Sequence, residues 1–194
     1  MDMIIDGTRA DDVPGTADVL ELVPGGYPVT IDVAQASIGG EGTAMRFALP
    51  LRGHNLPLMH AHESKLLVAL EGVLDIRSGG RSIALLNTGE AVVLHAGIAH
   101  RVHQHGAQPS VAGVVLWPGA VEQAFRALAA AVARDGYDRA AMITLLAAYG
   151  ITWDSATGAA PPAVRVAPLA AQLSGLPPRL AAAVRRRWVE KRAA

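Results

Sequence analysis

From Asp18 to Pro118 the chain alternates short apolar runs with turn-forming residues. "DVLELVP", "YPVTIDVAQASI", "TAMRFALPL", "SKLLVALEGVLDIRS", "RSIALLNTGEAVVLH", "AHRVHQHG" and "SVAGVVLWPG" are rich in Val, Ile and Leu, and Gly, Pro, Asn or Asp separates them. Such spacing predicts many short strands, hence a sandwich or barrel rather than βαβ units. Gly79-Gly80, between "VLDIRS" and "RSIALL", has the composition of a two-residue hairpin turn. Beyond Pro118 the period lengthens. Val121, Phe125, Leu128 and Val132 recur at helical spacing, with Gly136 as the stop. Asp138 is placed to cap a second helix carrying Met142, Leu145 and Tyr149 on one face, and Gly150 ends it. "DSATGAAPPAVRVAP" reads as a linker, and "RLAAAVRRRWVEKRAA" as a last helix with a basic end. The expected layout is an antiparallel all-β barrel domain over 1–118, then an α-helical extension over 119–194 with a linker near 154–168. No internal repeat is visible.

Composition narrows the function classes. The chain has 194 residues, 17 basic against 17 acidic side chains, and no cysteine. A balanced charge offers no field to recruit nucleic acid or an anionic membrane, so neither is expected as a partner. Without cysteine there are no disulfides, thiolate metal sites or cysteine nucleophiles. The acidic start, "MDMIIDGTRADD", lacks the basic and apolar regions of a secretory signal, and no uncharged run reaches the ~18 residues needed to span a bilayer. The expectation is a soluble cytoplasmic protein.

The chemistry concentrates in the histidines. His60 and His62 stand at i and i+2, so on a regular strand both project from one face. Two imidazoles facing an apolar interior need a partner, commonly a divalent metal, whereas a single strand histidine is more often a hydrogen-bonded surface or core residue. A second cluster lies in "GEAVVLHAGIAHRVHQ". Together the two stretches resemble the motifs of the cupin superfamily of small β-barrels. Gly53, six residues, His60-Ala61-His62 and later Gly72 match the first motif. Gly89, five residues, His95-Ala96-Gly97, two residues, His100, three residues and Gln104 match the second, with His95 for Pro and Gln104 for Asn. The resemblance covers about Val29 to Pro118, and it implies a cupin jelly-roll barrel and a homodimer formed through an N-terminal strand.

The resemblance further implies that His60, His62 and His100 are metal ligands. The fourth ligand is missing. Four residues beyond His62, where the family's carboxylate usually stands, is Leu66, and counting back from Gly72 puts Lys65 there instead, because the stretch between His62 and Gly72 is one residue short. Glu63, next to His62, would reach the site only through a bulge. Lys65 is a poor ligand unless its pKa is strongly lowered. The implied centre is three neutral imidazoles with positions open to water or substrate, as Lewis-acid or oxygen chemistry requires. The leading expectation is a metal-dependent oxidoreductase, a non-haem Fe(II) dioxygenase acting on a small polar metabolite. The alternatives are a Zn, Mn or Ni isomerase, cyclase or lyase, or a non-catalytic ligand-binding cupin. Further catalytic candidates are Lys65, Arg46, which could clamp a substrate carboxylate or face solvent, and Gln104, which shares the His100 face. His54 lies in a loop at the expected barrel mouth, while His103 and His105 point away from His100. The terminal "RRRWVEKR" fits a solvated helix end better than a nucleic-acid patch.

Overall fold

Strand pairing is antiparallel throughout the described part of the chain. The computed structural model describes residues 18–24, 26, 28–153 and 163–190. Its strands are β1 (Asp18–Leu20), β2 (Val29–Val33), β3 (Thr43–Leu49), β4 (Leu58–His60), β5 (Ser64–Glu71), β6 (Val73–Ser78), β7 (Arg81–Leu86), β8 (Glu90–Leu94), β9 (Arg101–His105), β10 (Ser110–Trp117), β11 (Ile151–Trp153) and β12 (Val166–Pro168). Its helices are α1 (Val121–Asp135), α2 (Arg139–Ala147), α3 (Leu169–Gln172) and α4 (Pro178–Val184). The larger sheet runs β1-β2-β3-β10-β5-β8-β12, a smaller one runs β7-β6-β9, and β11 pairs with β4. This is the jelly-roll barrel expected of the motifs.

Period-two alternation sorts β5 onto two faces. Leu67 and Ala69 join the interior core with Met45, Leu74, Ile76 and Val102, and Lys65 shares their parity. Leu66, Val68 and Leu70 face outward, where Leu173, Leu180, Val184 and Trp188 cover them. Burial on both faces is why "LLVAL" reads as a continuous apolar run rather than an alternating one. Each such buried aliphatic side chain contributes about 1.5–3 kcal/mol, so the C-terminal layer is integral to the fold.

The turn and cap expectations hold. Gly79 and Gly80 join β6 to β7 with φ of 55° and 77°, the positive pair that the tight hairpin demands. Gly136 follows α1, and Asp138 Oδ1 accepts from Ala140 N and Ala141 N at the start of α2. The 119–194 extension, however, is not purely helical. It returns two strands to the barrel, with Ile151 opposite His60 and Val166 opposite Val92. Part of the expected linker is therefore β12, and residues 154–162 lie outside the described residues. Among the described residues no helix is long and apolar enough to cross a membrane.

Candidate functional site

The barrel interior encloses a cavity of about 490 Å³, within the range of small-molecule sites. Its walls are largely apolar, with Val29, Phe47, Leu67, Val114, Leu116 and Phe125 among them, and of the ionisable side chains that line it His60, Lys65 and His100 lie deepest in the protein. All three are buried, at 5%, 4% and 3% exposure.

Each is positioned by backbone pairing. His60 ends β4, opposite Ile151 of β11, and its carbonyl accepts from Gly97 N at 2.8 Å. Lys65 sits on β5 between Leu94 of β8 and Leu116 of β10, so two apolar neighbours flank its stem. His100 enters from the loop before β9, and its Nδ1 lies 2.9 Å from the Ile98 carbonyl. A carbonyl only accepts, so Nδ1 carries the proton and Nε2 keeps its lone pair.

Burial dominates the electrostatics. It pushes the Lys65 amine down from 10.5 to about 7, with the Glu63 carboxyl group pulling weakly the other way. Burial, then the Lys65 charge, and then His100, lower His60 to about 2. Burial and Lys65 lower His100 to about 3, against the support of the Ile98 carbonyl. Both imidazoles are thus neutral around pH 7. The 3.9 Å approach of Glu63 Oε2 to His60 Nδ1 is accordingly no ion pair and is too long for a hydrogen bond. Both atoms are buried without a hydrogen-bond partner among the described residues.

The expected triad does not assemble. β4 stops at His60; Ala61 N still bonds the Gly150 carbonyl at 2.9 Å in register with β11, but the chain bends at Ala61-His62, so the two-residue period ends before His62. His62 is exposed and lies outside the cavity, with its ring against Gly150, where an added Cβ would meet Cδ2 at 2.7 Å. The same bend buries Glu63, at 3% exposure, beside His60. Two other catalytic candidates are structural. Gln104 Nε2 donates to the Gly106 and Gln108 carbonyls while its Oε1 accepts from Arg52 N, which consumes the side chain in loop closure. Arg46 points away from the cavity, 3.6 Å from Asp32. His54 does line the cavity mouth, bridged in backbone register to His103, and His105 is exposed.

Sequence reasoning missed the contribution of the extension. Tyr137, Arg139 and Trp153 line the cavity, and Arg139 lies over the Trp153 ring at 5.1 Å. Nothing in their period marks them, since Tyr137 is in a connection and Trp153 in a three-residue strand.

The donor set does not fit a resident divalent metal. His60 and His100 lie beside an amine with His54 at the cavity mouth, no group of three His, Asp or Glu side chains among the described residues is placed to hold an ion, and a protonated amine repels one. What the arrangement offers instead is an amine poised between its two protonation states, flanked by neutral proton acceptors in an apolar chamber. Perturbed groups of this kind, converging in a cleft, mark functional sites.

No protein-family model and no curated protein matches the chain. Among solved structures it is similar to TT1209 from Thermus thermophilus, at 30% identity over 41% of this chain and 74% of that one, with a TM-score of 0.37. It is also similar to KdgF from a Halomonas species, at 17% identity over 55% and 90% of the two chains and a TM-score of 0.45. A cupin 2 conserved barrel domain protein from Salinispora arenicola matches at 17% identity over 56% and 88%, with a TM-score of 0.44. Each covers little more than half of this chain or less, so the roles of its residues rest on their own geometry.

Proposed function

We infer that this chain, a cupin by its antiparallel jelly roll and paired histidine motifs, is a metal-independent enzyme that moves a proton on a small carbonyl compound. The observation that carries this reading is Lys65, an amine in the barrel interior with His60 and His100 beside it. A proton shuttle works best when its pKa lies near the working pH, which burial achieves for Lys65. In its charged form the amine stabilises developing negative charge on a carbonyl oxygen, an effect strengthened where water is excluded. The Nε2 lone pair of His100 can take a carbon-bound proton, and the walls around it are largely apolar. The reaction class is isomerisation, epimerisation or elimination next to a carbonyl. It is the non-redox side of the sequence expectation, carried out without a metal.

The test is loss of carbon-bound protons to D₂O, followed by proton NMR, for a panel of small aldehydes, ketones and oxo acids. Chelator-treated protein should exchange them, and Lys65→Met and His100→Ala should not. The metal readings need a third protein ligand beside His60 and His100. Stoichiometric iron in untagged protein with substrate-dependent oxygen uptake would replace this proposal with the dioxygenase. Exchange that appears only on adding Zn, Mn or Ni would replace it with the metal isomerase or lyase. Binding without exchange would leave a ligand-binding module.

A further inference from the structure

Arginine supplies almost all the positive charge of this chain: fifteen residues, against two lysines, Lys65 and Lys191. The described ion pairs use arginine for their permanent cation, at Asp18, Asp32, Glu41, Asp75, Glu122 and Asp135. One of the two lysines is in the barrel cavity. A guanidinium would supply charge and hydrogen bonds there more durably, but it is not deprotonated in proteins and has no free lone pair. A primary amine in an apolar chamber has both, which makes it a nucleophile.

We propose that Lys65 Nζ condenses with the carbonyl carbon of a small aldehyde or ketone held in the cavity, joining substrate to enzyme as an imine. This rests on the carbonyl-centre reading above and adds a covalent bond to it. The nitrogen lone pair attacks the carbonyl carbon, a C–N bond forms, and the π electrons move to oxygen. That oxygen takes a proton and the nitrogen gives one up. The C–O bond then breaks, and one water leaves for each imine formed, with no oxidant or reductant. The groups facing Lys65 suit the transfers: His60 at the end of β4, His100 before β9, and Glu63 in the bend, of which His60 and His100 line the cavity. His100 Nε2 can receive the proton from nitrogen and return it to the departing hydroxyl.

A second consideration favours the covalent route. His60 and His100 line the same cavity as Lys65, placed to take a proton from the carbon next to a carbonyl. A protonated imine withdraws electrons from the neighbouring C–H bond far more strongly than a ketone, and so brings that proton within their reach. Arg101 and Arg139 also line the cavity and would favour an anionic substituent on the ligand.

Reductive trapping tests this directly. The chelator-treated full chain is incubated with sodium cyanoborohydride and, separately, with pyruvate, glyoxylate and dihydroxyacetone phosphate. Intact mass and peptide mapping then locate the adduct. With at least one probe, Lys65 should label stoichiometrically and saturably, at least tenfold faster than Lys191 or the terminal amine. Lys191→Arg should label as the parent does, while Lys65→Arg should lose the saturable adduct. Lys65 labelling no faster than Lys191 with every probe overturns the imine. If deuterium exchange persists in that case, the carbonyl-centre reading survives alone; if exchange is absent too, both fail.

Discussion

Replacing Lys65 by methionine should make this protein more stable and inactive. Methionine fills a similar volume without the charge. The native amine loses its proton near pH 7, whereas the unfolded chain keeps it to 10.5. Between those values the unfolded state binds more protons, so wild-type stability climbs as pH rises through the window. Below pH 7 both states are protonated and the full cost of burying the ammonium is in place. At about 1.4 kcal/mol for each pH unit, the window corresponds to a ceiling of about 5 kcal/mol. Glu63, whose charge favours the ammonium, loses that partner in the variant, which offsets part of the gain. Lys65→Met should therefore exceed wild type by about 2–4 kcal/mol at pH 6, with the advantage shrinking toward pH 10. Urea denaturation of both proteins at pH 6, 8 and 9.5 measures it. A difference that stays flat with pH, or a variant less stable at pH 6, would refute the burial argument. A stability gain coupled to lost proton exchange would mean that Lys65 is retained for chemistry.

The remaining predictions use other parts of the fold. His60→Ala and His100→Ala should each reduce exchange by more than about 100-fold, while the exposed His62→Ala should change it less than about twofold; equal losses at all three would restore the triad. Both buried imidazoles stay neutral in the native state while the unfolded chain protonates them near pH 6.5, so stability should fall from pH 6.5 toward 3. The slope, read from urea midpoints, should approach about 2–3 kcal/mol per pH unit and be roughly halved in His100→Asn. The Asp32 side chain is fully buried, accepting from Arg187 Nε at 3.1 Å and Trp188 Nε1 at 2.8 Å. Asp32→Ala should cost about 2–3 kcal/mol and expose the C-terminal layer to proteolysis before the barrel, and a loss below 0.5 kcal/mol would contradict that pinning role.

The barrel was legible because its signals are local. Alternation, the Gly79-Gly80 turn and the Asp138 cap each depend on a few neighbouring residues, and all appear as expected. The site was legible only in part. His60, His100 and Lys65 do line the cavity, but placing His62 beside them assumed a strand that runs on past His60. The chain bends at Ala61-His62 instead, against Gly150, a residue far away in sequence. The same holds for β11 and β12. Three-residue strands are too short to show a period, and they exist because β4 and β8 offer unpaired edges. Gln104 kept the spacing of the motif yet serves loop closure, since its amide meets carbonyls before it can reach the cavity.

The departure at Lys65 is therefore more than one missing ligand. A carboxylate at that place beside two neutral imidazoles would form a hole for a cation. An amine there repels a cation when protonated, and its lone pair is a nucleophile when it is not. The two chemistries exclude each other at a single side chain, because the ion and the ammonium compete for the same few ångströms of low-dielectric space. The bend at Ala61 turns His62 out of the cavity, while His60 and His100 still line it. The cation at position 65 and the outward turn of His62 are independent features of the chain, one of composition and one of backbone path, and the proposed amine chemistry rests on both.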